Sequence, residues 1–98
     1  MEQQKIAILD LSECKYVGQL HQMIKDTLCF PDYYGENWDA FYDLMCMECS
    51  VEKLIICGTN SMALALLKEV EQMCLALEDV KVHHREYSLI FDYEVKDE

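Results

Sequence analysis

Two short β-rich apolar runs, KIAILDL at residues 5–11 and VEKLIICG at 51–58, are separated by a long stretch of helical rather than hairpin character. Strands connected in this way cannot meet through a tight turn, so the chain has to cross over, and crossovers make parallel neighbours. The first crossover holds two helices. In YVGQLHQMIKDTL (16–28), Val17, Leu20, Ile24 and Leu28 recur at three- and four-residue steps and form one apolar stripe, with Gln19, Gln22, Lys25 and Asp26 turned away from it. Pro31 ends this helix, because the residue before a proline is pushed out of the helical region. Asn37 then offers an N-cap for a second helix over residues 38–47, with Asp39 in the first turn where the helix dipole favours negative charge. Trp38, Phe41 and Met45 form its buried stripe, and Asp39 and Asp43 lie on another face.

The second strand stops at Gly58. TNSMALALLKEVEQMCLALED (59–79) follows as a third helix, capped by Asn60 or Ser61, rich in strong helix formers and apolar at Leu66, Leu67, Val70, Met73, Cys74 and Leu77. The tail VKVHHREYSLIFDYEV (80–95) is β-rich again and reads equally as one long strand or two short ones. Strand, helix, helix, strand, helix, strand is an α/β order. The expected architecture is two-layered, a three-stranded parallel sheet with room for one extra C-terminal strand and helices packed on it, in a single domain over 1–98.

Composition narrows the function. The chain has 98 residues, 52% of them hydrophobic, with one proline and three glycines, which fits an ordered fold with short loops. Nineteen acidic against eight basic residues leave a net charge of -11, which repels nucleic-acid phosphates and anionic membranes and draws in basic proteins. No direct nucleic-acid or membrane partner is expected. No apolar run approaches the length of a membrane span, and MEQQKIAILDLSECK turns polar too early for a secretory leader. The cysteines at 14, 29, 46, 49, 57 and 74 mostly sit in or beside apolar segments, where a reduced thiol packs as a small hydrophobe. A cytoplasmic protein with free thiols is the expectation.

Enzymatic signals are weak. Cys46 and Cys49 form a lone C-x-x-C without the second pair a zinc site needs, at a helix end rather than the helix start a thioredoxin-like pair occupies. His83 and His84, if in a strand, face opposite sides and cannot share a metal. His21, beside the first helical stripe, is ordinarily a partly buried, hydrogen-bonded residue. The chain carries no phosphate-binding or nucleophile-elbow motif. Neither a metal nor another cofactor is expected, nor catalysis.

The segment PDYYGENWDAFYD (31–43) is different in kind. Asp39 and Asp43, four apart on a helix, repel each other at a cost of about 0.2–0.5 kcal/mol, amid Tyr33, Tyr34, Trp38 and Tyr42. Aromatics around fixed carboxylates are the composition of a hot spot for a basic partner, although a solvated acidic face beside core aromatics would use the same residues.

LHQMIKDTLCFPDYYGENWDAFYDLM (20–45) closely resembles the helix, loop and helix of the barstar family, inhibitors of the ribonuclease barnase, through the LHQ start, the P-x-Y-Y-G-E-N-x-D-A core and the aspartate three residues beyond it. The resemblance implies inhibition of a secreted, basic, guanyl-specific (barnase-like) ribonuclease by plugging its active site with the second helix and the preceding loop. Carried over residue by residue, it implies that Tyr33 packs on the enzyme, Asn37 and Trp38 border the contact, Asp39 pairs with basic side chains, and Asp43 is the principal plug in place of a substrate phosphate. Tyr42 stands where the family often has tryptophan. Pro31 and Gly35 shape the loop. The chain departs from the family pattern at CMECS, where Glu48 is a candidate contact, and in the last helix, where an acidic contact would fall near Gln72, Glu69 and Glu71. DYEVKDE extends past the expected last strand. Two other readings stand beside this one: a barstar-like acidic interaction module regulating a different basic partner, and, more remotely, a thiol redox protein built on Cys46 and Cys49.

Overall fold

The computed structural model describes residues 5–47 and 49–96. Strand β1 (Ile6–Asp10) leads through helices α1 (Val17–Leu28) and α2 (Trp38–Met47) to strand β2 (Lys53–Cys57), and a single 3₁₀ turn (Thr59–Ser61) and helix α3 (Leu64–Glu86) lead to strand β3 (Asp92–Lys96). The three strands form a parallel sheet with β2 in the centre. The expected α/β architecture is therefore present, and the boundaries of α2 coincide with those read from the sequence.

Alternation along the strands decides which face is covered. The register pairs Ala7 with Leu54 and Leu9 with Ile56. Leu9, Leu54 and Ile56 are buried, whereas Ile6 and Ile8 on the opposite face are more than half exposed. Helices thus cover one face, where Leu20, Ile24, Phe41, Met45, Met73, Leu77 and Val80 complete the core. Val17, expected in the α1 stripe, is 40% exposed, and His21 takes the buried place instead. Gly58, just beyond β2, has φ +81°, and a Cβ there would lie 2.4 Å from the backbone nitrogen of Ser12. Only glycine lets the end of β2 approach the turn after β1 so closely.

Three expectations are corrected. The β-rich start of the tail is helical: α3 continues through VKVHHRE to Glu86, because Val70, Met73, Leu77, Val80 and His84 keep one buried stripe at three- and four-residue steps. Tertiary burial outweighs the β-propensity of the valines, and His83, His84 and Arg85 in the last turn suit the negative end of the helix dipole. The tail then supplies one strand, and DYEVK, which seemed an extension, is that strand. It is tied to α3 by Lys81, which pairs with Asp92 at 3.4 Å, and by the Tyr93 hydroxyl, which donates to Glu78 at 2.6 Å.

The ends of two helices also differ. Asn60 and Ser61 lie in the 3₁₀ turn, and α3 starts after Ala63 without a side-chain cap. Helix α1 ends at Cys29, in the left-handed conformation (φ 57°, ψ 43°), two residues ahead of Pro31. The amides of Cys29 and Phe30 both donate to the carbonyl of Lys25.

The α3 stripe sets a stability contrast. Leu77→Ala, at a fully buried position, should cost about 2–5 kcal/mol in urea unfolding, while Leu75→Ala, 61% exposed on the same helix, should stay within about 0.5 kcal/mol of wild type.

Candidate protein-binding site

The segment 31–43 is held from beneath. Asn37 caps α2: its Oδ1 accepts from the Ala40 amide at 2.8 Å, and its Nδ2 donates to the Gly35 carbonyl at 3.2 Å. Gly35 serves this cap by leaving room, since a Cβ there would come within 3.1 Å of the Asn37 Nδ2. The left-handed turn of the loop falls on Glu36 (φ 54°), whose carboxylate accepts a hydrogen bond from Gln22 on α1 at 3.0 Å.

The tyrosine pair divides between two environments. Tyr33 is 70% exposed, whereas Tyr34 is 6% exposed and shares a 2.6 Å hydrogen bond with His21 Nδ1. His21 also packs on Trp38, with ring centroids 4.6 Å apart, and Phe30 and Phe41 close the cluster edge-on. Burial pushes the His21 pKa down and the Tyr34 pKa up, so both members of the pair stay neutral. Trp38 is half-buried and reaches α3, its Nε1 donating to Glu69 at 3.1 Å. The loop, α1, α2 and α3 therefore meet at one aromatic cluster.

On the far side of α2, Asp39 and Asp43 are both exposed. With Trp38 and Tyr42 they form one wall of a cleft of about 660 Å³. The hydroxyl of Tyr42 is held by the Cys46 thiol, which pushes its pKa up. Helix α3 forms the opposite wall with Gln72, Leu75, Ala76, Asp79, Val82, His83 and Glu86. Among the described residues of both walls four are carboxylates and none is Lys or Arg, so the field in the cleft favours cations.

The candidates named from the sequence separate clearly. Trp38, Asp39, Tyr42 and Asp43 share the cleft. Asn37 spends one end of its side chain on the loop and the other on the first turn of α2, and Tyr33 stands exposed outside the residues that line the cleft. Of the α3 candidates, Gln72 lines the cleft, Glu69 is taken up by Trp38, and Glu71 faces a second groove with Cys74 and Tyr93. Glu48 lies outside the described residues. Asp79 and Glu86 were missed. They repeat Gln72 at seven-residue steps; Asp79 closes the helix read over 59–79, and Glu86 would have been visible had α3 been carried through residues 80–86.

His83 and His84 are helical neighbours rather than strand residues. His83 lines the cleft against Tyr42 and Tyr87, while His84 is buried, donates through Nδ1 to the Val80 carbonyl at 3.0 Å and packs on Phe91. None of the six cysteines forms a disulfide among the described residues. Burial raises the pKa of both Cys46 and Cys49, the opposite of what a reactive thiolate requires. Among the described residues no helix is long and apolar enough to cross a membrane.

Comparison with known proteins bears on this geometry. The family model described as "Barstar (barnase inhibitor)" matches residues 4–96. The chain belongs to the barstar family. A curated relative, "Putative ribonuclease inhibitor YrdF" of Bacillus subtilis (strain 168), is 45% identical over 38 residues, which are 39% of this chain and 42% of the relative. The family model's description names the family as inhibitors of barnase.

The aromatic cluster of this barstar family chain makes two predictions. Tyr34→Phe leaves His21 without its buried partner and should cost about 1–3 kcal/mol in urea unfolding. His21 has a folded-state pKa below its ordinary value of 6.5, so its contribution is complete above that value and is lost as the pH falls toward the folded pKa. The stability advantage of wild type over His21→Gln, followed by urea midpoints, should shrink between about pH 7 and pH 5.

Proposed function

We propose that this chain inhibits a secreted, guanyl-specific, barnase-like ribonuclease by seating α2 and the loop before it in the enzyme's basic active site. The observation that carries the reading is the placement of Asp39 and Asp43, exposed on one side of a capped helix whose other side is locked into the aromatic cluster. Two like charges one turn apart weaken a helix. Held in position before a partner arrives, they lower the ordering cost of binding one.

Asp43 enters the site as the plug, its two carboxylate oxygens accepting from guanidinium and imidazole groups that otherwise hold a substrate phosphate. Bidentate contacts of this kind offset the desolvation of the aspartate. Asp39 pairs with basic side chains at the entrance, Tyr33 packs on the enzyme surface, and Tyr42 fills the space between the two aspartates. Trp38 and Asn37 hold the edge of the contact. Asp79 and Glu86 add negative field from α3. The net charge of -11 speeds encounter with a basic enzyme, an effect that salt screens over about 8 Å at physiological ionic strength. The family name and the relative's name as a ribonuclease inhibitor support a ribonuclease as the partner class.

Titration into a barnase-like ribonuclease, with RNA cleavage followed at low and high salt, tests the reading. Stoichiometric inhibition that weakens with salt is expected. Asp43→Ala should raise Kd more than about a hundredfold, the consequence of leaving the enzyme's buried cations unpaired. Asp26→Ala, the same charge change at an exposed position of α1, should leave it within about threefold. Equal losses from the two variants would reduce the mechanism to bulk charge, and absence of inhibition would redirect the search to a different basic partner.

A further inference from the structure

Helix α3 carries a ladder whose apolar members the plug mechanism does not use. Leu75, Asp79, Val82 and Glu86 follow one another at four-, three- and four-residue steps, and all four line the cleft opposite Asp39 and Asp43. Leu75 is 61% and Val82 50% exposed. A single exposed leucine is ordinary on a protein surface. Two apolar side chains two turns apart, each followed by a carboxylate and both facing the same acidic cleft, make a pattern with a direction.

We infer that Leu75 and Val82 form an apolar rim that reads the partner: the cleft takes a basic protein that carries apolar side chains beside its cationic cluster, and α3 helps decide which basic protein is accepted. This rests on the inhibitory reading above, whose enzyme is the occupant. Two features of the cleft favour it. The four carboxylates select a cationic occupant, and an occupant drawn onto Asp39 and Asp43 from solvent is brought against the α3 wall of the same cleft. Leu75 also borders a second groove with Leu67, Val70, Cys74 and Tyr93, so apolar surface continues beyond the cleft.

Charge and apolar rim do different work. Carboxylates attract any basic protein, because Coulomb attraction is not selective about shape. Apolar contact is gained only where complementary apolar surface is brought into register, so the rim discriminates among basic partners. The two contributions separate experimentally, because salt screens the first and not the second.

The test measures Kd by calorimetry against the barnase-like ribonuclease for wild type, Asp43→Ala, and the double variant Leu75→Gln with Val82→Thr. Glutamine keeps helix propensity and threonine keeps the shape of valine, and circular dichroism with urea midpoints confirms that the double variant folds. Leu64→Gln, exposed on the same helix outside the cleft, is the control. The expected result is a Kd raised about tenfold or more by the double variant, by a factor that stays constant between low and high salt, with a less negative heat-capacity change of binding. Leu64→Gln should leave Kd unchanged. An unchanged Kd in the double variant while Asp43→Ala abolishes tight binding would overturn the rim and leave the plug standing. Failure of wild type to bind the enzyme would overturn both.

Discussion

A neutral hydrogen bond between His21 and Tyr34, buried under the loop, is the constraint on which the candidate binding surface depends. It joins α1 to the loop, and through the stacking of His21 on Trp38 it fixes the start of α2. Trp38 in turn donates to Glu69 and so tethers α3. Four segments distant in sequence are thereby referred to one point. The pair also explains why a histidine can be spent in the core: with both rings desolvated, each group holds the other's polar atom, and neither has to carry charge.

Around that point the acidic character of the chain is divided. Carboxylates close to the cluster are engaged: Glu36 with Gln22, Glu69 with Trp38. Asp39 and Asp43 are left facing solvent across from Asp79 and Glu86. A fold seeking only stability would have interleaved lysines here. Accepting repulsion at one cleft while satisfying charge elsewhere is what a surface shaped for an oppositely charged protein requires.

Much of this was legible in the sequence because most local signals agreed with the fold. Asn37 as an N-cap and the Trp38, Phe41, Met45 stripe of α2 needed only spacing and capping chemistry. The misreadings arose where tertiary context overrode local preference. Residues 80–86 look like a strand by composition, yet Val80 and His84 continue the stripe begun at Val70, and burial wins. That one error hid Glu86, since its alignment with Gln72 and Asp79 exists only on a continuous helix. Tyr33 and Tyr34 could not be told apart from sequence, because the partner that buries Tyr34 lies thirteen residues away on α1. The left-handed turn was masked for a similar reason: Gly35 is the residue suited to it, but the room it leaves is taken by Asn37, and Glu36 turns instead.

The cleft has walls from two different crossovers, α2 before the central strand and α3 after it. During synthesis the first wall is made long before the second, so a nascent chain ending short of residue 86 displays two aspartates without a complete receptor around them. Once both walls stand, an occupant that grips them clasps the two halves of the fold. Unfolding must then release that occupant, and the chain gains stability in proportion to the logarithm of its concentration, about 2.7 kcal/mol at a hundred times Kd. An occupant of this kind would add a third layer to the two of the fold, joining α2 to α3 from outside.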